Sequence, residues 1–275
     1  MQTKLNLIIV GGERYWHELL PDWHVIYCRL QVSRWVIERG KLYIHADSEL
    51  LEVHAVLWRV GVVNPEPWHR GVLDLIRISG VPCLNSAESL LRGFDKLSMY
   101  AEMKAAGLPV ISSEMAVGAH SLSLLKPVLP CVLKVGNHHG GLGKARAMDT
   151  SQWSDLVDLA AIMPDYSVVE PFISYLADVR CLIVGDRVWC LRRENEDWKV
   201  NRGTATPVLI DPPAELENWT RIAHRHLNAF ILGLDFIQSP DGSWLLLECN
   251  DVPGLEGFPE VVRQDLANGL RTLDL

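Results

Sequence analysis

The stretch "LGLDFIQSPDGSWLLLECND", residues 232–251, decides the fold, because it reads as two apolar strands joined by a tight turn and carries carboxylates on both sides. Asp241-Gly242 is a strong two-residue hairpin signal, and a turn centred there sets Asp235 directly opposite Glu248. Asn250, two residues beyond Glu248, shares its face. Three oxygen-bearing side chains therefore meet on one patch. Hard cations such as Mg²⁺ take this kind of ligand, alongside waters and phosphate oxygens. The alternative is a polar outer face of a sheet. Against it, "LGLDFI" and "LLLE" read as buried on both faces, where unpaired carboxylates are costly.

Upstream, residues 134–149 read "KVGNHHGGLGKARAMD" between "CVLKV" and "KARAM", so the glycines connect two strands of a hairpin. Neither familiar phosphate loop fits. His138 and Ala145 stand where a Walker loop needs Gly and Ser or Thr, and Gly141-Leu142-Gly143 is not followed by the third glycine of a dinucleotide fingerprint. What remains is a loop whose backbone N–H groups can approach an anion, with a lysine at its end. A long mobile hairpin is the alternative. Further upstream, Asp95 caps the helix in "FDKLSMYAEMKAAGLPV", which Gly107 and Pro109 stop. Lys96 then opposes the helix dipole, a conflict that a nearby anion relieves; a solvated surface lysine is the bland reading.

The N-terminal part alternates strands ("LNLIIV", "VIYCRL", "HAVLWRV") with the helix "EPWHRGVLDLIRIS", an α/β layer, and Ser86 caps a helix beginning "AESLL". After the glycine loop come the helix "DTSQWSDLVDLAAIM", the strand "YSVVEPFI" and a strand pair turning at Gly185-Asp186. The helix "PPAELENWTRIAHRHLNAF" then presents Trp219, Ile222 and Leu227 on its apolar face. His224 and His226, two apart, cannot face one ligand. A chain of 275 residues holds one large domain or two modest ones. A net charge of -8 argues against sequence-independent nucleic-acid binding. No apolar run approaches the ~20 residues of a membrane span. The opening "MQTKLNLIIVGG" lacks a signal-peptide pattern, so a cytoplasmic protein is expected. The scattered cysteines, with no Cys-x-x-Cys, read as buried thiols.

In their order, "KVGNHHGGLGK", "VVEPFI" and "DWKVNRGTAT" resemble the synapsin ATP-binding domain. "FDKL", "DVRCLIVGD", "GLDFI" and above all "LLECNDVPGLEGF" resemble the RimK-like ligases of the ATP-grasp superfamily. The similarity runs from about "VLWRVG" to "PGLEGF". It implies an α/β (α+β) ATP-grasp fold, with a small N-terminal α/β pre-grasp domain over residues 1–88 and an ATP-grasp domain over 89–275. Within the latter it implies a lid at about 108–172 and a metal-binding subdomain at about 173–275.

By the same resemblance Lys96 and Lys134 hold nucleotide phosphates, under a loop containing Gly140, Gly141, Gly143 and Lys144. Glu170, Phe172 and Ile173 receive adenine, and Asp178 the ribose. Arg180 and Arg202 face the γ-phosphate, with Lys199 as helper. Asp235, Glu248 and Asn250 ligate Mg²⁺, or Mn²⁺ in its place. The implied cofactors are thus ATP and Mg, and the implied activity is amide or peptide bond formation through an acyl phosphate. The substrates would be an amino acid, peptide or small metabolite bearing a carboxylate, with an amine co-substrate. No nucleic-acid or membrane partner is implied, and a homo-oligomer is left open. The alternative is a synapsin-like ATP-binding regulatory module.

Two features depart from the ligase pattern. Asp251 follows Asn250 where a small residue is usual, and His138-His139 is closer to synapsins and has no evident chemical role. Trp58, Arg59, Trp68, His69 and Arg70 flank the junction with the N-terminal layer. They are candidates for touching an acceptor, with core or surface roles as the alternative.

Overall fold

The computed structural model describes residues 4–46, 49–61, 66–138, 141–163, 165–193, 198 and 207–274. The N-terminal part contains β1 (Asn6–Gly11), α1 (Trp16–Leu19), β2 (His24–Cys28), β3 (Arg34–Glu38), β4 (Lys41–Ala46), β5 (Glu49–Glu52), β6 (Ala55–Arg59), α2 (Pro67–Ser79), β7 (Cys83–Leu84) and α3 (Ala87–Arg92). Four of these strands form a parallel sheet of order β2-β1-β6-β7. The central pair is apolar at nearly every position because both faces are covered. Ile8, Val10, Val56 and Trp58 pack with Leu73 and Ile76 of α2, and Leu7, Ile9, Ala55 and Leu57 pack on the opposite side. Ser86 caps α3, accepting from the Ser89 N–H as its sequence predicts.

The antiparallel sheet β3-β4-β5 is not anticipated from the sequence. Its first hairpin turns at Arg39-Gly40, with φ of +51° and +78°, the conformation that two-residue turns require. It adds Leu42 and Ile44 to the core around α2.

The middle of the chain contains α4 (Lys96–Ala105), β8 (Glu114–Val117), α5 (Gly118–Leu124), β9 (Cys131–Val135), β10 (Lys144–Ala147), α6 (Thr150–Ala161) and β11 (Tyr166–Pro171). The strands form an antiparallel sheet of order β10-β9-β11-β8. Alternation gives this sheet two unlike faces. Cys131, Leu133, Val135, Ala147 and Val169 pack in one apolar cluster with Leu122 of α5 and Ala160 of α6. Lys134, Lys144, Arg146 and Glu170 occupy the alternate positions, on the face away from that cluster.

The last part contains β12 (Ala177–Val184), β13 (Arg187–Arg193), β14 (Val208–Ile210), α7 (Ala214–Leu227), β15 (Ile231–Gln238), β16 (Trp244–Asn250) and α8 (Val261–Arg271). Their sheet has the order β14-β13-β12-β15-β16. Val179, Cys181, Ile183, Leu232, Leu234 and Phe236 bury one face against α7, which contributes Leu216, Ala223 and Leu227. Trp219 and Ile222 are only half-buried beside them. On the other face Leu182, Val184 and Ile231 join Leu266 and Leu270 of α8 and the N-terminal sheet in one core. The strand ends beyond that core carry Asp178, Arg180, Asp235 and Glu248.

Among the described residues no helix is long and apolar enough to cross a membrane. All six cysteines are buried and unpaired by disulfides.

Candidate active site

Antiparallel register places Arg180 opposite Asp235 and Asp235 opposite Glu248, three charged residues in a row across β12, β15 and β16. The sequence predicts the second pairing, but the two-residue turn behind that prediction is not what forms. Gln238 pairs with Trp244, so the tip spans five residues, 239–243, with Asp241 Oδ1 accepting from Ser239 Oγ and from the Ser243 N–H. Between Asp235 and Phe236 the register then shifts by one through a β-bulge. Longer turn and bulge cancel. The bulge also explains why Leu246 and Cys249, an odd number of residues apart, both face the α7 core while Glu248 faces the other way.

Arg180 holds Asp235 bidentately, Nε donating to Oδ1 at 2.7 Å and Nη2 to Oδ2 at 2.8 Å. Arg193 approaches Asp235 Oδ1 to 3.3 Å and donates through Nε to Asp178 Oδ1 at 2.7 Å. Burial pushes the Asp235 carboxyl upward, but Arg180 and Arg193 outweigh it and hold the group below the usual range. In return Asp235 raises the Arg180 guanidinium. Asp178 lacks the bidentate Arg180 partner, and burial pushes its carboxyl up to about 6 against the pull of Arg193. Its Oδ2 has no hydrogen-bond partner among the described residues.

Lys96 sits in the first turn of α4, whose N-terminus Asp95 caps by accepting from the Leu97 and Ser98 N–H groups. The Lys96 N–H donates to Asn137 Oδ1 at 3.0 Å, tying the glycine-loop segment to the helix. The conflict with the dipole is relieved inside the molecule, since Lys96 Nζ forms an ion pair with Glu248. Lys144 Nζ lies 4.0 Å from the second Glu248 oxygen. Lys134 and Glu170 form another ion pair. Burial, then the neighbouring Lys144, push the Lys134 ammonium well below its ordinary value. Glu248 of β16 is thus faced by a lysine from α4 and one from β10, while Lys134 and Glu170 pair between neighbouring strands β9 and β11.

Two small cavities of about 90 Å³ each lie in this cleft. Lys96, Lys134, Lys144, Glu170 and Glu248 line one. Gly141, Phe172, Ile173, Asp178, Trp198 and Asp235 are among those lining the other. Arg146 stacks over Phe172 at 4.7 Å and over Trp198 at 5.5 Å. A third cavity, of about 720 Å³, reaches from Lys96, Arg180, Glu248 and Asn250 to the ends of β1 and β6.

In the loop, Gly143 has φ +65°, and a Cβ there would lie 2.6 Å from the Val135 carbonyl oxygen and 2.9 Å from the His138 ring. His138 therefore packs against the glycine turn. Gly140, Lys199 and Arg202, together with His139, lie outside the described residues. Asp251 lines the large cavity, burial pushing its carboxyl up to about 7. Trp58, Arg59 and His69 line the same cavity. Trp68 instead stacks on His69 and is 41% exposed, and Arg70 lies over the Phe94 ring.

Three functional candidates escape the sequence reading. Arg193 could have been found, because a two-residue turn at Gly185-Asp186 places it opposite Asp178, as observed. Asn137 and Asn85 carry no local signal. The Asn85 side chain accepts from the Phe230 and Ile231 N–H groups and donates to the Ile231 and Asp251 carbonyls.

A carboxylate and arginine row on one sheet, faced by lysines from an antiparallel sheet with a glycine hairpin, defines a nucleotide-grasping cleft, and the fold is that of the ATP-grasp proteins. D-alanyl-alanine synthetase A from Vibrio cholerae O1 biovar eltor superposes with a TM-score of 0.75 at 14% identity, over 99% of this chain and 100% of that one. The macrocyclase MdnC from Microcystis aeruginosa MRC, bound with precursor peptide MdnA, gives 0.69 at 14% identity over 98% and 100%. The chain belongs to the family described as "Synapsin, ATP binding domain", whose model matches residues 93–234. A probable alpha-L-glutamate ligase of Xanthomonas oryzae pv. oryzae (strain MAFF 311018) is 28% identical, covering 84% of this chain and 79% of the relative. Probable alpha-L-glutamate ligase 1 of Hahella chejuensis (strain KCTC 2396) is 27% identical, over 94% and 86%.

Proposed function

We propose that this chain is an ATP- and Mg²⁺-dependent carboxylate–amine ligase that forms an amide or peptide bond through an acyl phosphate. The observation that carries the proposal is the Arg180, Asp235, Glu248 row facing Lys96, Lys134 and Lys144. Pure nucleotide sensing would not require arginines and carboxylates on the phosphate side of the cleft. The alpha-L-glutamate ligases among its relatives point to the same reaction class.

The donor set fits the metal. Asp235 and Glu248 offer carboxylate oxygens on one face, and Asn250 follows Glu248 on that face, a hard-oxygen set suited to Mg²⁺ and acceptable to Mn²⁺. ATP with Mg²⁺, when bound, supplies an activated phosphoryl group and neutralises its charge. In the proposed reaction the substrate carboxylate would displace ADP from the γ-phosphoryl group, and the amine would then displace phosphate from the acyl carbon, the phosphate leaving with the C–O electron pair and taking up the proton that the amine loses. Lys96 and Lys144 would hold phosphate oxygens as Glu248 turns to the metal, and Lys134 would join them on leaving Glu170. Arg180 would stabilise charge at the transferring group. Glu170, Phe172 and Ile173 would border adenine, and Asp178 the ribose. Gly140, Lys199 and Arg202 keep their proposed roles by resemblance alone. The sheet carrying the glycine hairpin, within residues 108–172, would act as the lid that excludes water from the acyl phosphate.

The unpaired thiols favour a reducing compartment, the cytoplasm. An ADP-release assay over panels of acids and amines, with hydroxylamine to trap an acyl phosphate, tests the proposal. ADP and hydroxamate should appear only with both ATP and the correct acid. Tight ATP binding with no turnover across the panel would instead establish a regulatory module.

A further inference from the structure

Four carboxylates of the cleft come with a cation each. Glu248 pairs with Lys96, Glu170 with Lys134, Asp235 with Arg180 and Asp178 with Arg193. Asp251 is the exception. It lines the 720 Å³ cavity together with Arg180, Glu248 and Asn250, yet among the described residues no arginine, lysine or histidine pairs with it. Its carboxylate is met by main-chain N–H groups, its own and that of Val252.

The backbone that carries this carboxylate is fixed. Asp251 follows Asn250, the last residue of β16, and its carbonyl accepts from Asn85 Nδ2 at 2.8 Å. The same Asn85 side chain accepts from the Phe230 and Ile231 N–H groups at the start of β15, so the strand end is tied to the sheet. Between α3 and α4, Gly93 leaves room for the side chain: a Cβ there would lie 3.4 Å from Asp251 Oδ2. Adjacent Cα atoms are about 3.8 Å apart, so a group held by Asp251 lies within a residue's length of Asn250, the proposed metal ligand. A carboxylate drawn out of water with no cation of its own pays a desolvation cost that a bound cation offsets.

We propose that Asp251 receives the amine co-substrate as its ammonium ion, at the metal end of the large cavity. The proposal rests on the ligase reading and assigns a seat to the second of its substrates. Charge selects that substrate over the others. ATP and the acid are anions, which Asp251 repels, whereas an amine arrives mostly as a cation near neutral pH. The cavity runs on from Asp251 to Arg180 and Glu248, so an amine seated there has a path to the acyl carbon. The ligases that the sequence resembles usually have a small residue at this position, so the seat belongs to this chain and not to the fold.

The test is steady-state kinetics on the whole chain. Hydroxamate trapping with ATP and Mg²⁺ identifies the acid, and ADP release with each standard L-amino acid or ammonium chloride as acceptor identifies the amine. Hydroxylamine, neutral near pH 7, is the uncharged acceptor for comparison. Asp251→Asn should raise the KM for the amine at least about tenfold relative to the KM for hydroxylamine, the loss expected for one charge-assisted contact. A merely structural role would affect both acceptors together. Asp251→Ser, which restores the small kind of residue usual at this position, should act alike and keeps the test decisive if Asp251→Asn does not fold. Equal effects on the two acceptors overturn the seat. So does a variant whose only change is a higher Mg²⁺ requirement, since that would make Asp251 a metal ligand. Hydroxamate formation with no cationic acceptor preferred over hydroxylamine overturns the seat alone. Absence of both ADP release and hydroxamate with every acid overturns the ligase reading, and the seat with it.

Discussion

Glu248→Gln separates the two halves of the proposed chemistry. The substitution preserves shape and removes the negative charge against which Lys96 and Lys144 rest. Both Lys96 and Glu248 are about four-fifths buried, at 19% and 18% exposure. Two unit charges at about 4 Å attract by roughly 4 kcal/mol at an effective dielectric constant near 20. Desolvation and side-chain ordering cancel much of that, leaving on the order of 1–2 kcal/mol. A phosphate that recruits Lys96 must overcome this residue of attraction. Without the Glu248 charge Lys96 is no longer held by it, so metal-free nucleotide should bind more tightly, by about tenfold. Turnover should vanish, because the metal loses a carboxylate. Calorimetric titration of ADP in excess chelator, beside ADP release at saturating Mg²⁺, measures both effects. Weaker metal-free ADP binding in a variant of unchanged thermal stability would refute the ion-pair argument. Undiminished Mg²⁺-dependent turnover would refute the ligand assignment.

Asn85→Ala should destabilise the fold strongly, since four backbone groups of Phe230, Ile231 and Asp251 lose their partner in a site that is 1% exposed. At about 1–3 kcal/mol per orphaned buried group, and allowing for relaxation, a loss of roughly 3 kcal/mol or more is expected in urea unfolding; under about 1 kcal/mol would show that the network is dispensable. The third prediction concerns pH. Hydrogen bonds from Ser239 and Ser243 lower the exposed Asp241 carboxyl from 3.8 to about 2 in the folded chain. A depressed folded value means that its stabilisation is complete above about 4 and is lost as pH falls toward 2. Asp241→Asn should therefore narrow the gap to wild type across that window, while the two proteins keep a constant difference above pH 5.

The strands were legible where alternation or a doubly buried apolar run dictated them, as in β1, β6, β9 and β15. Helix starts at Ser86 and Asp95 were legible from their side-chain caps. The Asp235–Glu248 pair was legible from hairpin pairing, although the pairing is reached through a five-residue tip and a bulge, whereas Arg180 was named only through the family resemblance. The sheet β3-β4-β5 was not, because Arg-Gly is a weaker turn signal than Asp-Gly. Contacts between distant segments leave no local trace. Lys96 and Glu248 are 152 residues apart, and Asn85 reaches partners 145 to 166 residues away. Nor does composition reveal that Arg59 is buried with donors idle among the described residues, since that depends on Gly12, Pro253 and the fold of two sheets.

The cancelling turn and bulge make the hairpin sensitive to length in an uneven way. Residues 236–238 pair with 244–246 whatever lies beyond them at the tip, so an extra residue among 239–243 can be absorbed in the turn. Leu247 is the residue that the bulge leaves unpaired, so removing it would let Leu246 and Glu248 follow one another in a regular ladder, with Asp235 still opposite Glu248 and Gly233 still opposite Asn250. Removing Cys249 instead would carry Asn250 and the following segment one step out of register with β15. Insertions and deletions a few positions apart in this hairpin are therefore not equivalent: those at the tip are matters of loop shape, the one at Leu247 straightens the ladder, and those beyond it change how the remainder of the chain is threaded onto the sheet.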